Sequence, residues 1–245
     1  MAINEDVTVG ILGAGRLGSA IANRLVSSRR LVIADREENR ARRIAHALDA
    51  EFSTVTRLVT RMSVLLLAVP PEEILSLIST YRDRFRRGAL LVNLATSLGT
   101  DTLNEALERK DIKAVGAKPV TQATALRSGR KVVFVTACQD IALRERLTRV
   151  LAPVGKLIHG DEMNVSEINA LATRAALAFA RHLRCSLAAK HVPAPLINAA
   201  VYSVAVGTIL DYPNDNDNPY IRTQLKELAH EHSPRGPTPT DACQV

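Results

Sequence analysis

The chain has 245 residues, 47% of them hydrophobic and 23% charged, which is ordinary for a soluble globular protein with a sizeable core. Lys and Arg total 32 against 25 Asp and Glu, a net charge of +7, but aromatics make up only 3%. With so little to stack bases on, the basic excess reads as an arginine-rich surface with a pocket for an anionic cofactor, and no nucleic-acid partner is expected. Cys138, Cys185 and Cys243 have neither disulfide-framework nor zinc spacing, and the first residues lack a basic-then-apolar leader. The expectation is a cytoplasmic protein. Arginines interrupt the longest apolar stretches, so no membrane span is expected.

Residues 7–12 form a continuous apolar run and predict a buried parallel strand. A helix follows over 16–27, with Leu17, Ala20, Ile21 and Leu25 at helical spacing, then a strand over 31–34 and a charged helix over 37–48. The run 64–69 is another buried strand, stopped by Pro70 and Pro71, and Pro71 suits the first turn of a helix reaching about residue 85. Strands at 89–94, 112–117, 131–136 and 155–159 alternate with helices at 101–108 and 140–151. Strands separated by helix-length segments mean βαβ units and a mostly parallel sheet.

Near Asp161 the pattern changes. Residues 162–191 carry no strand signal and no internal Pro or Gly, which predicts one helix of about 30 residues, about 45 Å long. Its apolar residues (Ile168, Leu171, Leu177, Phe179, Leu183 and Leu187 among them) lie on most of its sides, so other helices must cover it. An apolar helix over 195–210 and a third helix over 220–231 follow, separated by a polar loop. These helices cannot cover so much apolar surface alone, and a second copy is the simplest cover. The expected organisation is a dinucleotide-binding Rossmann domain over 1–160, an all-helical dimerisation and substrate domain over 161–232 forming a homodimer, and an irregular proline-containing tail over 233–245.

Gly13-Ala14-Gly15-Arg16-Leu17-Gly18 fits G-x-G-x-x-G between an apolar strand and a helix, the context that gives the pattern meaning. Gly13 permits the turn, Gly15 lets a pyrophosphate approach the backbone, and Gly18 lets helix and strand pack closely. The anion then sits at the positive end of the helix from Arg16. Asp35 ends the second strand, near the roughly 20-residue spacing of the acidic residue that holds a ribose 2′-hydroxyl in NAD sites. Arg36 and Arg40 follow, two guanidiniums suited to a 2′-phosphate. With Asp35 free to swing aside, these lean the reading to NADP, with NAD as the alternative. Ala68-Val69-Pro70, Asn93 and Ala95 lie at the carboxyl ends of strands and should flank the ribose and nicotinamide. Asn93, inside an apolar strand, takes either a core hydrogen bond or a cofactor contact.

Lys118, just past a strand ending near the nicotinamide, is a candidate catalytic residue that binds a substrate carboxylate or acts as an acid. Thr173 and Arg174 are candidate substrate ligands on the long helix. Glu162 and Glu167 form no ligand pattern with any His, so no metal is expected.

The order of these pieces resembles pyrroline-5-carboxylate reductase. The matching stretches are Val9-Gly10-Ile11-Leu12-Gly13-Ala14-Gly15-Arg16-Leu17-Gly18, Ala34-Asp35-Arg36, Leu66-Leu67-Ala68-Val69-Pro70-Pro71 and Val154-Gly155-Lys156-Leu157-Ile158. The resemblance implies an NAD(P)H-dependent reduction of a small cyclic imine. It also implies that Thr238, supported by Ser233, supplies a hydroxyl near the substrate, as the stretch Ser233-Pro234-Arg235-Gly236-Pro237-Thr238 echoes a family substrate loop. The second half departs from the family: Leu171-Ala172-Thr173-Arg174-Ala175 and Ala117-Lys118-Pro119-Val120-Thr121 replace two of its characteristic stretches. A carbonyl or deazaflavin acceptor, and a non-catalytic dinucleotide-binding role, therefore stand as alternatives.

Overall fold

The computed structural model describes residues 8–211 and 219–231. The apolar runs become β1 (Val9–Leu12), β2 (Leu31–Ala34), β4 (Val64–Leu67) and β5 (Leu90–Asn93), each buried along its whole length. They pair in parallel with β3 (Glu51–Phe52) and β6 (Lys113–Gly116) in the order β3-β2-β1-β4-β5-β6. Alternate residues serve opposite faces, as a strand requires. Val9, Ile11, Leu31, Ile33, Leu66 and Val92 pack in one cluster with Ile21, Leu25 and Leu147. Leu12, Val32, Leu65, Leu67 and Leu91 pack in the other with Leu58, Ile74, Ile78 and Leu103.

The helices covering these faces are α1 (Arg16–Leu25), α2 (Glu38–Ala47), α3 (Val55–Arg61), α4 (Pro71–Tyr81), α5 (Thr100–Leu107), α6 (Ala123–Arg127) and α7 (Ile141–Leu151). Thr54 caps α3 by accepting from the Arg57 amide, and Asp140 caps α7 by accepting from the Leu143 amide. Pro71 occupies the first turn of α4 as expected, but that helix ends at Tyr81 and a single 3-10 turn (Arg82–Arg84) carries the chain onward.

Three features depart from the sequence reading. β3 and α3 were not expected, because two residues after a left-handed Asp49 leave no periodic signal. β7 (Lys118–Val120) and α6 were not expected either: Pro119 argues against a strand and is tolerated because β7 is an edge. Finally, the strands expected last in a single sheet, β8 (Val132–Thr136) and β9 (Gly155–His159), form a separate three-stranded sheet with β7. There β7 and β8 are antiparallel, and β8 and β9 parallel.

The chain divides into two compact units, residues 1–173 and 174–245, with the break inside the long helix α8 (Asn164–Ala189) rather than at 160/161. The first turns of α8 belong to the first unit for a physical reason. Val165 is buried, the Asn169 amide donates to the Pro119 carbonyl at 2.9 Å, and the Gln122 amide donates to the Thr173 hydroxyl at 3.1 Å.

The second unit is helical in its described residues. α9 (Ala194–Ala199), a π-helical segment (Ala200–Ala205) and α10 (Val206–Asp211) run on continuously, and α11 (Pro219–Glu231) follows. Arg184 ties α8 to this run by donating to Asn198 at 3.0 Å and lying over the Tyr202 ring at 5.4 Å. Leu177, Phe179, Leu196, Tyr202, Val204 and Ile209 are nevertheless exposed. The 194–211 stretch has a mean hydropathy of 1.4 and is long and apolar enough to cross a membrane by length and composition, although arginine-broken stretches had argued against any such segment.

Candidate functional site

The strand registers fix where the site lies. Leu12 of β1 pairs with Ala34 of β2 and with Leu67 of β4, and Leu67 pairs with Asn93 of β5. Four strands thus end level, and the residues after them (Gly13, Asp35, Ala68 and Leu94) emerge together. Neighbouring β1 and β4 leave the sheet in opposite directions of its strand order, the crevice where open α/β sheets bind ligands.

The glycine loop has the geometry a dinucleotide needs. Gly13 adopts φ +105° with its amide donating to Ala34, and a Cβ there would strike the Ala68 carbonyl. A Cβ on Gly18 would run into the Gly13 carbonyl, so α1 lies tight on β1. A Cβ on Gly15 would meet nothing within 4 Å. The backbone at Gly15 therefore borders open space at the amino end of α1, the kind of end that can receive a pyrophosphate.

Asp35 is 3% exposed. Its Oδ2 accepts from the Ala14 amide at 2.6 Å, and its Oδ1 from the Glu37 amide and the Arg40 guanidinium, both at 2.9 Å. Burial by itself would raise its pKa, but the hydrogen bonds from Arg40, Glu37 and Ala14 prevail and hold it below the usual carboxylate value. A carboxylate with three donors does not swing aside, contrary to the premise that leaned the sequence reading to NADP. Beside it, a cavity of about 560 Å³ is lined by Asp35, Arg36, Thr54, Val55, Glu73 and Tyr81, among others.

A second cleft, of about 370 Å³, continues past the glycine loop. Arg16, Leu17, Val69, Pro70 and Ala95 line it, as do Thr96, Ser97, Thr121, Gln122 and Asn169. The last five offer hydroxyl and amide groups that sequence reasoning missed. They sit on loops or at the start of α8, where no motif marks them. Ala68 lies under the glycine loop instead, its amide donating to Leu12 at 2.8 Å.

Asn93 and Lys118 stand behind this cleft. Asn93 is fully buried, donates to the Leu98 carbonyl at 2.8 Å and accepts from the Ala95 amide at 3.0 Å. Of its two expected roles, the structure gives the core hydrogen bond. Lys118 is also fully buried, and its Nζ donates to the carbonyls of Ala95 at 2.7 Å and Leu98 at 2.6 Å. Burial pushes its pKa down to about 8, opposed by the nearby carboxylate of Glu162. In this position Lys118 holds the 95–98 loop rather than presenting an acid to the cleft. Glu162, itself buried, accepts from the Thr100 amide at 2.9 Å, pinning the loop's far end.

Thr173 accepts from Gln122, which lines the cleft, and Arg174 is exposed on α8. Ser233 and Thr238 lie outside the described residues, as does the tail. Among the described residues no group of three His, Cys, Asp or Glu side chains is placed to hold a metal ion.

Residues 8–97 match the family model described as NADP oxidoreductase, coenzyme F420-dependent. No curated protein sequence matches the chain. Among solved structures, it is similar to a pyrroline-5-carboxylate reductase from Coxiella burnetii, with 16% identity and a TM-score of 0.72, covering 95% of this chain and 87% of that one. The Plasmodium falciparum pyrroline carboxylate reductase, solved with NADP bound, gives 16% identity and a TM-score of 0.67 over 95% and 86%. An imine reductase from a Pseudomonas species gives 16% and 0.64 over 92% and 78%. The fold is thus that of NAD(P)-dependent oxidoreductases of the pyrroline-5-carboxylate reductase and imine reductase type.

Proposed function

We propose that the chain is a nicotinamide-dinucleotide-dependent reductase of a carbon–nitrogen double bond, acting on a small cyclic imine of the pyrroline-5-carboxylate kind. The observation that carries this reading is the cleft joining the amino end of α1 to the ends of β4 and β5, lined beyond the glycine loop by hydroxyl and amide side chains. The likeness in fold to imine-reducing enzymes supports it. The bound dinucleotide supplies hydride chemistry, and the protein supplies position and polarity.

Gly13, Ala14, Gly15, Arg16, Leu17 and Gly18 cradle the pyrophosphate, with Asp35, Arg36 and Arg40 on the adenosine side and Val69, Pro70 and Ala95 beside the nicotinamide. Thr96, Ser97 and Asn169 orient the imine. Its carbon gains a hydride, and its nitrogen, already protonated, keeps its proton and becomes an amine. Lys118 and Asn93 act through the 95–98 loop as positioning residues. Thr173, Arg174, Ser233 and Thr238 are the proposed substrate ligands, the last two by resemblance. The exposed apolar helices of the second unit are proposed to pair with a second copy.

The test is oxidation of NADH and NADPH by the purified protein, followed by absorbance, with and without pyrroline-5-carboxylate. Substrate-dependent oxidation is expected. Tight cofactor binding without turnover on a panel of imines overturns the reading in favour of a non-catalytic role. A second reading rests on the family model over residues 8–97: the acceptor is a deazaflavin. Oxidation of NADPH by that acceptor alone decides for it.

A further inference from the structure

The adenosine-side cavity is lined by four carboxylates, Asp35, Glu38, Glu72 and Glu73, and by one guanidinium, that of Arg36. One nitrogen of that guanidinium is engaged, its Nη1 lying 2.9 Å from Glu73 Oε1. Arg40 is engaged as well, pairing with Asp35 at 2.9 Å and with Glu37 at 3.4 Å. A 2′-phosphate brings close to two negative charges and needs free donors. Here it competes with Glu73 for Arg36, brings its charge into a cavity already lined by four carboxylates, and meets Asp35 fixed in place by three donors. A ribose 2′-hydroxyl, by contrast, needs an acceptor, and Asp35 Oδ2, which accepts from the Ala14 amide, keeps a lone pair for it.

We propose that this pocket selects the unphosphorylated dinucleotide, NAD(H), over NADP(H), with Glu73 acting as the specificity residue that withholds Arg36 from a 2′-phosphate. This rests on the dinucleotide-binding part of the function proposed above, and not on its imine substrate.

The experiment measures equilibrium binding of NADH and NADPH by nicotinamide fluorescence, and of ADP-ribose and 2′-phospho-ADP-ribose by calorimetry, without any substrate. NADH is expected to bind at least about tenfold more tightly than NADPH, with the same order for the two ADP-ribose probes. Glu73→Gln frees Arg36 and is expected to tighten NADPH about three- to tenfold relative to NADH. The Arg36 side chain is largely exposed and Glu73→Gln keeps the side-chain shape, so thermal melts of the variant should stay close to the parent. Equal or tighter NADPH binding in the parent protein overturns the proposal, as does a ratio that Glu73→Gln leaves unmoved. A selective loss of NADPH binding in Arg36→Ala from a parent that binds it well overturns it too. Binding of neither dinucleotide removes the nucleotide site and the selectivity with it. NADH-selective binding with no imine turnover upholds the selectivity and removes only the imine reductase reading.

Discussion

The ammonium of Lys118 lies 2.7 Å from the carbonyl oxygen of Ala95 and donates to it, so a buried cation holds the loop that walls the cleft beyond the glycine loop. Its Nζ also reaches Leu98, so one side chain fastens two points of the loop. Removing it leaves the Ala95 carbonyl without this donor, at a cost of about 1–3 kcal/mol for an unsatisfied buried group. It also relieves the desolvation of the ammonium, so the net change in stability of Lys118→Met is small at neutral pH. The larger effect is expected on catalysis, as a raised KM for the reduced cofactor with a smaller change in kcat.

The same residue sets a pH dependence of stability. Its folded pKa of about 8 lies below the ordinary 10.5, so between those values the unfolded chain binds more protons than the native one. Stability therefore carries the full burial penalty below about pH 8, rises as pH climbs from 8 to 10.5, and levels off above. The total rise is about 3 kcal/mol, at about 1.4 kcal/mol per unit. Urea denaturation of the parent and of Lys118→Met across pH 7–10.5 should show the rise in the parent and its loss in the variant. Parallel curves remove Lys118 as the source.

Gly15→Ala and Gly18→Ala separate binding from folding. A methyl on Gly18 meets the Gly13 carbonyl, so thermal stability should fall by several degrees, about 2 kcal/mol or more. A methyl on Gly15 meets no protein atom within 4 Å, so the melt should hold while dinucleotide affinity drops about tenfold or more. Unchanged cofactor affinity in Gly15→Ala places the pyrophosphate elsewhere.

Asn93→Ala removes a buried amide that bonds both ends of the 95–98 loop, at Ala95 and Leu98. It leaves the Ala95 amide without this acceptor, and a loss of about 1–3 kcal/mol is expected in chemical denaturation. A wild-type midpoint shows that the loop does not depend on it.

Leu177, Tyr202 and Ile209 are exposed on the second unit, and light scattering at micromolar concentration should report a dimer. The double variant Leu177→Glu/Ile209→Glu should shift it toward monomer. A monomeric parent, or one recovered only with detergent, assigns those faces to another partner.

Local chemistry made much of this protein legible before any coordinates. β1, β2, β4 and β5 are continuous apolar runs because both faces of a parallel sheet are buried, and G-x-G-x-x-G signals its own turn because the steric demands of Gly13 and Gly18 arise from the strand and helix beside them. β3 and β7 were invisible, since a strand of two or three residues has no period to read and Pro119 is acceptable only on an edge. The roles of Asp35, Asn93 and Lys118 were decided by tertiary structure. Their residue types promised cofactor or substrate contacts, but a polar side chain bonds whichever partner the fold brings within 3 Å. For Asp35 that includes the amide of Ala14, for Lys118 the carbonyl of Leu98, and for the supporting Glu162 the amide of Thr100. Those partners lie 20 or more residues away in the chain, a distance over which sequence spacing carries no geometry and only the packed sheet does.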